Sequence, residues 1–487
     1  MIYLLFLNDF TFKNKSAIII LNIKEKVNKL ALKKNFLWGN SVSSMQSEGG
    51  WNLDGKGMSV YDVKPATKDT SDWKNGIDEY HKYQEDVNLM QEMGMNCYRF
   101  QVSWTRIFPN GDGDINEDGF RYYDKLIESL LDAGIEPMIC LYHFDMPLKL
   151  AEEYNGFFSR YVTEAFVKFS KSVIDRYGKY VKYWISFNEQ NGYLFEAGFD
   201  NSGYVSGERT IEALYTIANN TMVAHAEIAN YIHSKFPNTK IGGMLAYQEF
   251  YPATNHPEDV FIARKASEFI NQNFISAFVN GRYSKEVLTF LKNNNLLSTI
   301  QDGDLELIAS HRNDFISLSY YYTITLNHIY LKNNTPPNFY MRDASEPNKY
   351  LESSEWGWQI DPLGFRNVLT KLSNETNLPI FPIENGIGVN EKISEQKQTI
   401  IDDYRIKYHK EHIKALCDAV NIDGANIMGY LGWGLIDIPS SKGDMRKRYG
   451  VVYVNRENHN LKDMKRIPKA SFYWLKQVIK SNGENLD

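Results

Sequence analysis

Short apolar runs alternate with longer segments of helical period along most of the chain, and no Pro-, Ser- or Gly-rich linker interrupts the alternation. Eight of the runs have the length and apolar content of buried strands, at 36–43, 96–102, 137–142, 183–187, 240–246, 314–321, 378–383 and 425–431. The segments between them show helical spacing of apolar residues, at 80–93, 119–133, 163–177, 211–233, 258–278, 362–372 and 404–421. This alternation predicts an α/β fold, a single (β/α)₈ TIM barrel.

The chain length is compatible with one large barrel. Its 487 residues would hold two ordinary domains, but barrels with insertions also reach this size. Long connections follow several predicted strands, at 142–157, 247–258 and 323–355, so we expect elongated βα loops at the catalytic face. We assign residues 32–482 to the barrel, residues 1–31 to an N-terminal extension outside the fold, and residues 483–487 to a tail.

The first 31 residues contain two apolar runs, at 2–7 and 17–23. Neither run approaches the ~18 residues that a membrane span requires, and no basic segment precedes the first run as it would in a signal peptide. We interpret this segment as neither a targeting signal nor an anchor. A truncated protein beginning near Leu32 is therefore expected to keep full activity.

The composition argues against large or highly charged partners. The net charge is -6 and no long Lys/Arg block occurs, which disfavours nucleic acid and anionic membranes and favours a small-molecule substrate. The three cysteines, at positions 97, 140 and 417, form no CxxC pair, so neither a disulfide framework nor a zinc cluster is indicated and a reducing cytoplasm fits best. His409 and His412 lack the His-Glu-x-x-His order, and we predict no metal site and no cofactor.

Two carboxylates stand where predicted strands end. Glu384 follows the apolar run 378–383 and precedes Asn385-Gly386, and Glu189 ends the β-prone run 183–187 together with Asn188. A Glu before Asn-Gly is, taken alone, more often an exposed turn residue. Two carboxylates at the carboxyl ends of two barrel strands are, however, the arrangement that glycoside hydrolysis requires.

Several long motifs in the same order as in a known family surround these carboxylates. They are 36–39 (FLWG), 46–49 (QSEG), 98–109 (YRFQVSWTRIFP), 141–147 (LYHFDMP), 188–189 (NE) and 383–386 (IENG). From about residue 36 to 474 the chain resembles glycoside hydrolase family 1. The resemblance implies that Glu384 is the nucleophile and Glu189 the acid/base of a retaining mechanism, with carboxyl groups ~5 to 5.5 Å apart.

The resemblance also implies roles for the residues around the pair. Arg99 and Tyr321 should flank Glu384 and favour its ionised form, while Glu189 should be protonated. Gln46, His143 and Asn188 match the family's glycone binders. Trp433 matches the platform under the sugar ring, and Trp358 matches the aglycone wall. Taken alone, His143 would more often be a core histidine, and either Trp would more often be a packing residue.

The segment 431–450 indicates the substrate. Plain β-glucosidases carry a Glu for the 4- and 6-hydroxyls where this chain has Ser440, and Ser440, Lys447 and Tyr449 match the phosphate-binding set of the 6-phospho members. A Glu ~4 Å from a phosphate would be repelled by about 4 kcal/mol per pair of unit charges at a dielectric constant of about 20. The alternative is a solvated polar loop with a short basic cluster at 446–448.

Three further positions refine this interpretation. The sequence Ser-Tyr-Tyr at 319–321 replaces the more usual Asn-Tyr-Tyr, and residues 355–362 resemble phospho-β-glucosidases. Ser441 stands where phospho-β-galactosidases tend to have Trp, which favours glucose over galactose.

The sequence thus predicts a cytoplasmic, metal-independent, retaining 6-phospho-β-glucosidase. It would cleave β-glucoside 6-phosphates, such as cellobiose 6-phosphate or aryl glucoside 6-phosphates, to glucose 6-phosphate and aglycone, downstream of a phosphorylating sugar uptake system. Within the enzyme class the alternatives are an unphosphorylated β-glucosidase and a 6-phospho-β-galactosidase. From another class, the alternative is a sugar-phosphate-binding barrel without catalysis.

Overall fold

The barrel is an eight-stranded parallel sheet whose strands lie side by side in their order along the chain. The computed structural model describes residues 32–393 and 399–487, so the predicted extension 1–31 lies outside the described residues. The strands β1 to β8 are Leu37–Ser41, Cys97–Gln101, Glu136–Tyr142, Tyr183–Phe187, Lys240–Ala246, Phe315–Ser319, Ile380–Glu384 and Gly429–Trp433. The predicted (β/α)₈ fold with elongated βα loops is confirmed.

Hydrogen bonds close the barrel between its last two strands. The Ile380 N–H donates to Asn426 O at 2.9 Å and the Met428 N–H donates to Ile380 O at 3.0 Å, while β8 also pairs in parallel with β1. The sequence placed the eighth strand at 425–431. That range is wrong at both ends, because the residues before Gly429 reach β7 only through a single bridge and the regular ladder to β1 continues to Trp433.

Helices follow the strands on the outside of the barrel. The longer ones are Glu79–Met93, Glu117–Asp132, Arg160–Tyr177, Ile211–Lys235, Pro257–Ser267, Asn273–Asn280, Lys285–Asn293, Pro362–Thr376, Asp403–Asn421 and Ala470–Lys480. Shorter α-helices occupy the loops, at Ser44–Ser47, Trp104–Ile107, Leu148–Tyr154, Ala197–Asn201, Asp304–Ser310 and Tyr340–Ala344. The single helix predicted at 258–278 is two helices joined through a π-helical turn, Glu268–Gln272.

The interior of the barrel is packed by side chains rather than open. A cluster of buried apolar residues fills it, contributed by Cys97, Met138, Cys140, Ile185, Met244, Phe315, Phe381, Ile383 and Leu431. Side chains alternate in and out along each strand, so Arg99, two residues after Cys97, also points inward, just beyond this apolar layer. A larger apolar cluster lies between the strands and the surrounding helices. The packed interior leaves space for chemistry only at the ends of the strands.

The loops at the carboxyl ends of the strands contain small sheets of their own. Phe250–Pro252 pairs with Ile324–Leu326, which pairs with Ser345–Glu346, and Val389–Asn390 pairs with Lys447–Arg448. Val452–Val454 pairs with Arg466–Pro468. These pairings give the long loops a fixed shape, which a site built on loops requires.

The ends of the described chain lie against the barrel. Residues 483–487 follow the last helix, and Leu486 among them is buried. Within residues 32–393 and 399–487, no helix has the length and apolar composition needed to cross a membrane.

Candidate active site

A cleft of about 730 Å³ opens at the end of the barrel where the parallel strands finish. The two carboxylates and four of the predicted sugar binders line it together with other side chains: Gln46, His143, Asn188, Glu189, Glu384 and Trp433. They come from five different strand ends or the loops that follow them. The cleft is thus the place where the two strand-end carboxylates and the proposed sugar binders meet.

Glu384 is the last residue of β7 and is almost completely buried. Arg99 Nη1 donates a hydrogen bond to Oε1 at 2.5 Å, and the Tyr321 hydroxyl donates to Oε2 at 2.9 Å. The pKa of the Glu384 carboxyl lies above its ordinary value, because burial raises it by more than Arg99 and Tyr321 lower it. A guanidinium in direct contact and a hydroxyl donor both favour the ionised form.

Glu189 follows β4 after Asn188 and has a left-handed backbone conformation, with φ 41° and ψ 56°. Such a conformation is uncommon for a residue other than glycine, and it turns the chain sharply from the strand into the 3₁₀ helix Gln190–Leu194. The carboxyl oxygen Oε1 accepts a hydrogen bond from Ser319 Oγ. Burial, and then the negative charge of Glu384, raise the pKa of Glu189 to about 7.

The two carboxyl groups therefore have different chemical environments. Glu384 accepts hydrogen bonds from the guanidinium of Arg99 and the phenol of Tyr321, whereas Glu189 accepts one from the neutral hydroxyl of Ser319. This asymmetry favours an ionised Glu384 next to a protonated Glu189, which are the states that a nucleophile and a general acid need. The predicted carboxyl separation of ~5 to 5.5 Å stays a prediction.

Arg99 also orients the residue before the acid. Its Nη2 donates to Asn188 Oδ1 at 2.6 Å, and because a guanidinium only donates, the two amide N–H groups of Asn188 stay free of this bond. His143 is buried, and burial together with the charge of Arg99 keeps its pKa well below the ordinary value. Its Nδ1 has no hydrogen-bond partner among the described residues. Because this nitrogen is itself buried, a hydroxyl in the cleft would have to contact the other nitrogen of the neutral imidazole, which can donate or accept.

Gln46 and Trp433 form another part of the wall. Gln46 lies on the short helix Ser44–Ser47 after β1, and its Nε2 donates a hydrogen bond to Pro439 O, in the loop after β8, at 2.7 Å. Trp433 is the last residue of β8, and its ring centroid lies 5.5 Å from that of His143. An indole at this depth offers a flat apolar surface to a sugar ring.

Trp358 lies in the long loop after β6. Its ring centroid is 5.4 Å from that of Tyr321 and 5.1 Å from that of Tyr322, and all three side chains line the cleft. The sequence placed an aglycone wall here. The structure adds Tyr322, Phe195, Phe339 and Met341 to the same apolar surface.

Of the three predicted phosphate ligands in the loop after β8, Tyr449 is the one that lines the cleft. Ser441 and Lys442 line the cleft as well, whereas Ser440 and Lys447 are not among its lining residues. Lys447 Nζ lies 5.6 Å from the ring centroid of Tyr449. Ser440 is buried, and its Oγ accepts a hydrogen bond from the Asp444 N–H at 3.2 Å.

Lys447 differs from the two arginines that flank it. Arg446 pairs with Asp444 and Arg448 pairs with the buried Asp437, but Lys447 Nζ has no carboxylate within 4.0 Å in the part of the chain that the structure describes. It lies 3.6 Å from the ring centroid of Trp358 instead. Burial, and then the neighbouring charge of Lys442, lower the pKa of Lys447 to about 8. An ammonium group next to Trp358, without a carboxylate partner among the described residues, can attract an anion.

Two polar residues near the carboxyl pair and the loop after β8, Ser319 and Lys442, also carried no assigned role in the sequence analysis. Ser319 donates to Glu189, and Lys442 contributes a second positive charge near Lys447. Ser319 lies inside the predicted strand 314–321 and ends the strand only in the structure, so the strand-end rule that identified Glu384 gave no signal for it. Lys442 had no signal beyond its position in the loop.

A candidate metal cluster lies away from the cleft. One ligating atom from each of His256, Glu258 and His328 falls within 4.8 Å of the others. The two imidazole rings are stacked, with centroids 4.5 Å apart and planes at 14°. Because a metal lies close to the plane of each imidazole that binds it, two stacked rings are not arranged to share one ion.

The chain is similar to known glycosidases over nearly its whole length. The sequence model described as glycosyl hydrolase family 1 matches residues 28–484. The aryl-phospho-beta-D-glucosidases BglC and BglH of Bacillus subtilis are 39% and 40% identical over 471 residues, covering 93% of this chain and 98% of theirs. A 6-phospho-beta-glucosidase of Clostridium longisporum is 37% identical over 475 residues, covering 94% of this chain and 99% of its own.

Solved structures give the same family likeness at lower identity. A family 1 β-glucosidase from Thermotoga maritima superimposes with a TM-score of 0.82 at 28% identity, covering 93% of this chain and 99% of that protein. The comparisons therefore agree with the barrel described above.

Proposed function

The chain belongs to glycosyl hydrolase family 1 and is a glycoside hydrolase, and we propose that it is a retaining 6-phospho-β-glucosidase. Its substrates would be β-glucoside 6-phosphates, and its products glucose 6-phosphate and the released aglycone. The observation that carries the proposal is Lys447, an ammonium group next to Trp358 without a carboxylate partner among the described residues. The curated relatives at 37–40% identity, which are named as phospho-β-glucosidases, support the same substrate class.

In the first chemical step Glu384 attacks the anomeric carbon of the bound sugar. A bond forms between its carboxylate oxygen and that carbon while the bond to the glycosidic oxygen breaks. Glu189 gives its proton to the departing oxygen, so the aglycone leaves as a neutral alcohol or phenol. The product of this step is a glycosyl-enzyme ester on Glu384 and an ionised Glu189.

In the second step Glu189 acts as a base. It takes a proton from a water molecule, whose oxygen attacks the anomeric carbon and displaces Glu384. The sugar leaves with its original β configuration, and both carboxyl groups return to their starting states. A pKa near 7 suits Glu189 to give and take a proton at neutral pH.

The surrounding side chains would bind the sugar and stabilise charge. Arg99 and Tyr321 hold Glu384 in its ionised form and in one orientation. We assign hydroxyl binding to Gln46, His143 and Asn188, with Asn188 using its free amide N–H groups on the 2-hydroxyl, where hydrogen bonds strengthen in the transition state. Trp433 would support the ring, and Trp358 would contact the aglycone.

The phosphate group would bind in the loop after β8, on Ser440, Lys447 and Tyr449. Lys447 supplies a positive charge, and a charge-assisted hydrogen bond contributes roughly 1.5 to 3 kcal/mol. Ser440 provides a hydroxyl where a carboxylate would repel the phosphate. Tyr449 lines the cleft and carries a phenolic hydroxyl. This chemistry favours the phosphorylated sugar over the plain one.

Turnover of three nitrophenyl glycosides tests the proposal. The β-glucoside 6-phosphate should have the highest kcat/KM, above the plain β-glucoside and above the β-galactoside 6-phosphate. Faster turnover of the plain glucoside would overturn the phosphate assignment, and faster turnover of the galactoside would overturn the sugar assignment. No turnover of any of the three would favour a barrel that only binds sugar phosphates.

The substrate class also implies where the enzyme works. A sugar phosphorylated at the 6-position must be produced by a phosphorylating step before hydrolysis, and a phosphorylating uptake system delivers such sugars to the cytoplasm. Three buried free cysteines fit a reducing compartment. We therefore assign the protein to the cytoplasm, downstream of such an uptake system.

A further inference from the structure

We propose that Ser319 is a positioning residue that holds the Glu189 carboxyl group in place through the hydrogen bond from its Oγ to Oε1. The inference rests on the role of Glu189 in the proposed function, and it adds a residue to which no role has been assigned. Ser319 ends β6 and is buried, with 2% of its surface exposed. Glu189 lies 130 positions earlier in the chain, so the contact exists only in the folded barrel.

The backbone fixes Ser319 relative to both carboxyl groups. Ser319 is paired in the sheet with Glu384 on β7 and with Ala246 on β5. The next residue, Tyr320, donates its N–H to Glu384 O at 2.9 Å. The hydroxyl of Ser319 therefore projects from the strand that stands beside Glu384 and reaches across to Glu189. A rigid strand is a more exact support for a catalytic group than a loop.

Glu189 needs such a support because it lies outside the strand, so the sheet does not hold its carboxyl group. It occupies a left-handed turn after β4, and Ser319 is its side-chain hydrogen-bond partner among the described residues. A carboxyl group with a free rotamer would sample orientations that miss the glycosidic oxygen, and proton transfer requires hydrogen-bond distance. Ser319 selects one orientation.

The same bond adjusts the acidity of Glu189 against the other charges that face it. Those groups are Glu384 on β7, Arg99 on β2, and Tyr321 and Tyr322 after β6. The Ser319 hydroxyl and the charge of Arg99 lower the pKa of Glu189, while burial and Glu384 raise it. Loss of the hydroxyl should therefore move the pKa upward.

The substitution Ser319→Ala tests this role through the pH profile of kcat/KM. Glu189 must be protonated for the first step, so activity falls as pH rises through its pKa, and in Ser319→Ala this alkaline limb should shift to higher pH by about half a unit or more. We expect kcat/KM at the optimum to fall about 10-fold. Ser319→Thr, which keeps the hydroxyl, should restore both. An unchanged limb in Ser319→Ala would overturn the proposal.

Ser317→Ala is the matched control. Ser317 lies two positions earlier on the same strand, is equally buried, and its hydroxyl donates to Gly243 O at 3.0 Å. This variant should keep the wild-type alkaline limb. An equal shift in Ser317→Ala would show that β6 acts only through general stability, which contradicts the proposal.

A double variant separates this inference from the proposed function. If Ser319 acts through Glu189, then adding Ser319→Ala to Glu189→Gln should lower activity much less than it does in the wild-type background. Full additivity would overturn the role of Ser319 while leaving Glu189 as the acid/base. Glu189→Gln losses that are the same for every leaving group would instead overturn the proposed function.

Discussion

At the scale of single residues, the two carboxyl groups should respond differently to loss of charge. Glu384→Gln removes the nucleophile and should abolish the glycosyl-enzyme, because an amide cannot form the ester. Glu189→Gln keeps the nucleophile and should cost on the order of 10²- to 10⁴-fold, least for leaving groups that need no protonation. Rates for aryl glycosides with phenols of graded acidity, together with mass spectrometry of the intermediate, measure both effects.

The comparison of leaving groups is decisive for these assignments. A Glu189→Gln loss that stays constant across phenols of different acidity would remove the acid role. Recovery of the glycosyl-enzyme in Glu384→Gln would remove the nucleophile role. The thermal unfolding midpoint of each variant is the control: a midpoint equal to that of the wild type shows that the barrel is intact.

Lys447 gives a second prediction at this scale. Lys447→Ala should raise KM for the β-glucoside 6-phosphate by about 10-fold or more, since one charge-assisted bond is lost, and should leave the plain β-glucoside nearly unchanged. Arg446→Ala is a matched control, because its guanidinium is exposed and already paired with Asp444. Equal effects of Lys447→Ala on both substrates would show that Lys447 is structural.

At the scale of elements, buried ion pairs hold the loop after β8 against the barrel. Arg405, on the helix Asp403–Asn421, is fully buried and pairs with Glu391 at 2.8 Å and Asp402 at 2.9 Å. Its Nη1 also donates to the carbonyls of Ile387 at 2.6 Å and Tyr449 at 2.8 Å. One arginine thus joins the loop after β7 to the strand that carries Lys447 and Tyr449.

Arg405→Met should therefore affect both stability and recognition of the phosphate. Removing one partner of a buried pair costs about 3–5 kcal/mol when the other charge stays buried without a cation, as Asp402 would, whereas Glu391 keeps its pair with Lys469. The free energy of unfolding from urea titration measures this cost, and KM for the phosphorylated substrate should rise with it. Arg176→Met, at a partly exposed pair with Asp124, should cost less than about 1 kcal/mol. A similarly small loss for Arg405→Met would contradict the proposed role of the network.

Element boundaries were predictable where one pattern dominated. β4 and β5 match the predicted ranges, whereas the eighth strand was predicted to start four residues too early because Ala425, Ile427 and Met428 are also apolar. The small sheets of the loops could not be predicted. The partner of Lys447–Arg448 is Val389–Asn390, and neither segment is long enough to show a strand period.

At the scale of the whole molecule, the alternation of strands and helices was sufficient to predict the barrel, because neighbouring strands in the sheet are neighbours along the chain. Contacts across the barrel were not predictable in the same way. Arg99 and Glu384 were paired only through the resemblance to a family, and the Ser319 bond to Glu189 was not anticipated. Such contacts depend on strand register, which one sequence specifies only through its buried faces.

The chain ends are the last feature at this scale. Leu32, the first described residue, is buried and packs against Gly483. If Gly483 carried a Cβ atom, that atom would lie 3.1 Å from Cδ1 of Leu32. Asn482 Nδ2 donates to the carbonyls of Leu32 at 3.1 Å and Lys33 at 3.2 Å. Hydrogen bonds and packing therefore join residues 32–33, before β1, to residues 482–483, after the final helix.

This arrangement sharpens the prediction for truncation. A protein beginning at Leu32 retains these contacts and should keep full activity and its unfolding midpoint. A protein beginning at Phe36 loses the buried Leu32 side chain, which contributes about 1.5–3 kcal/mol, and both hydrogen bonds from Asn482. Its thermal midpoint should fall while kcat/KM at low temperature is preserved, because the cleft lies at the opposite end of the strands from Leu32. Loss of folded, active protein on removal of residues 1–31 alone would instead assign that segment a part in the fold.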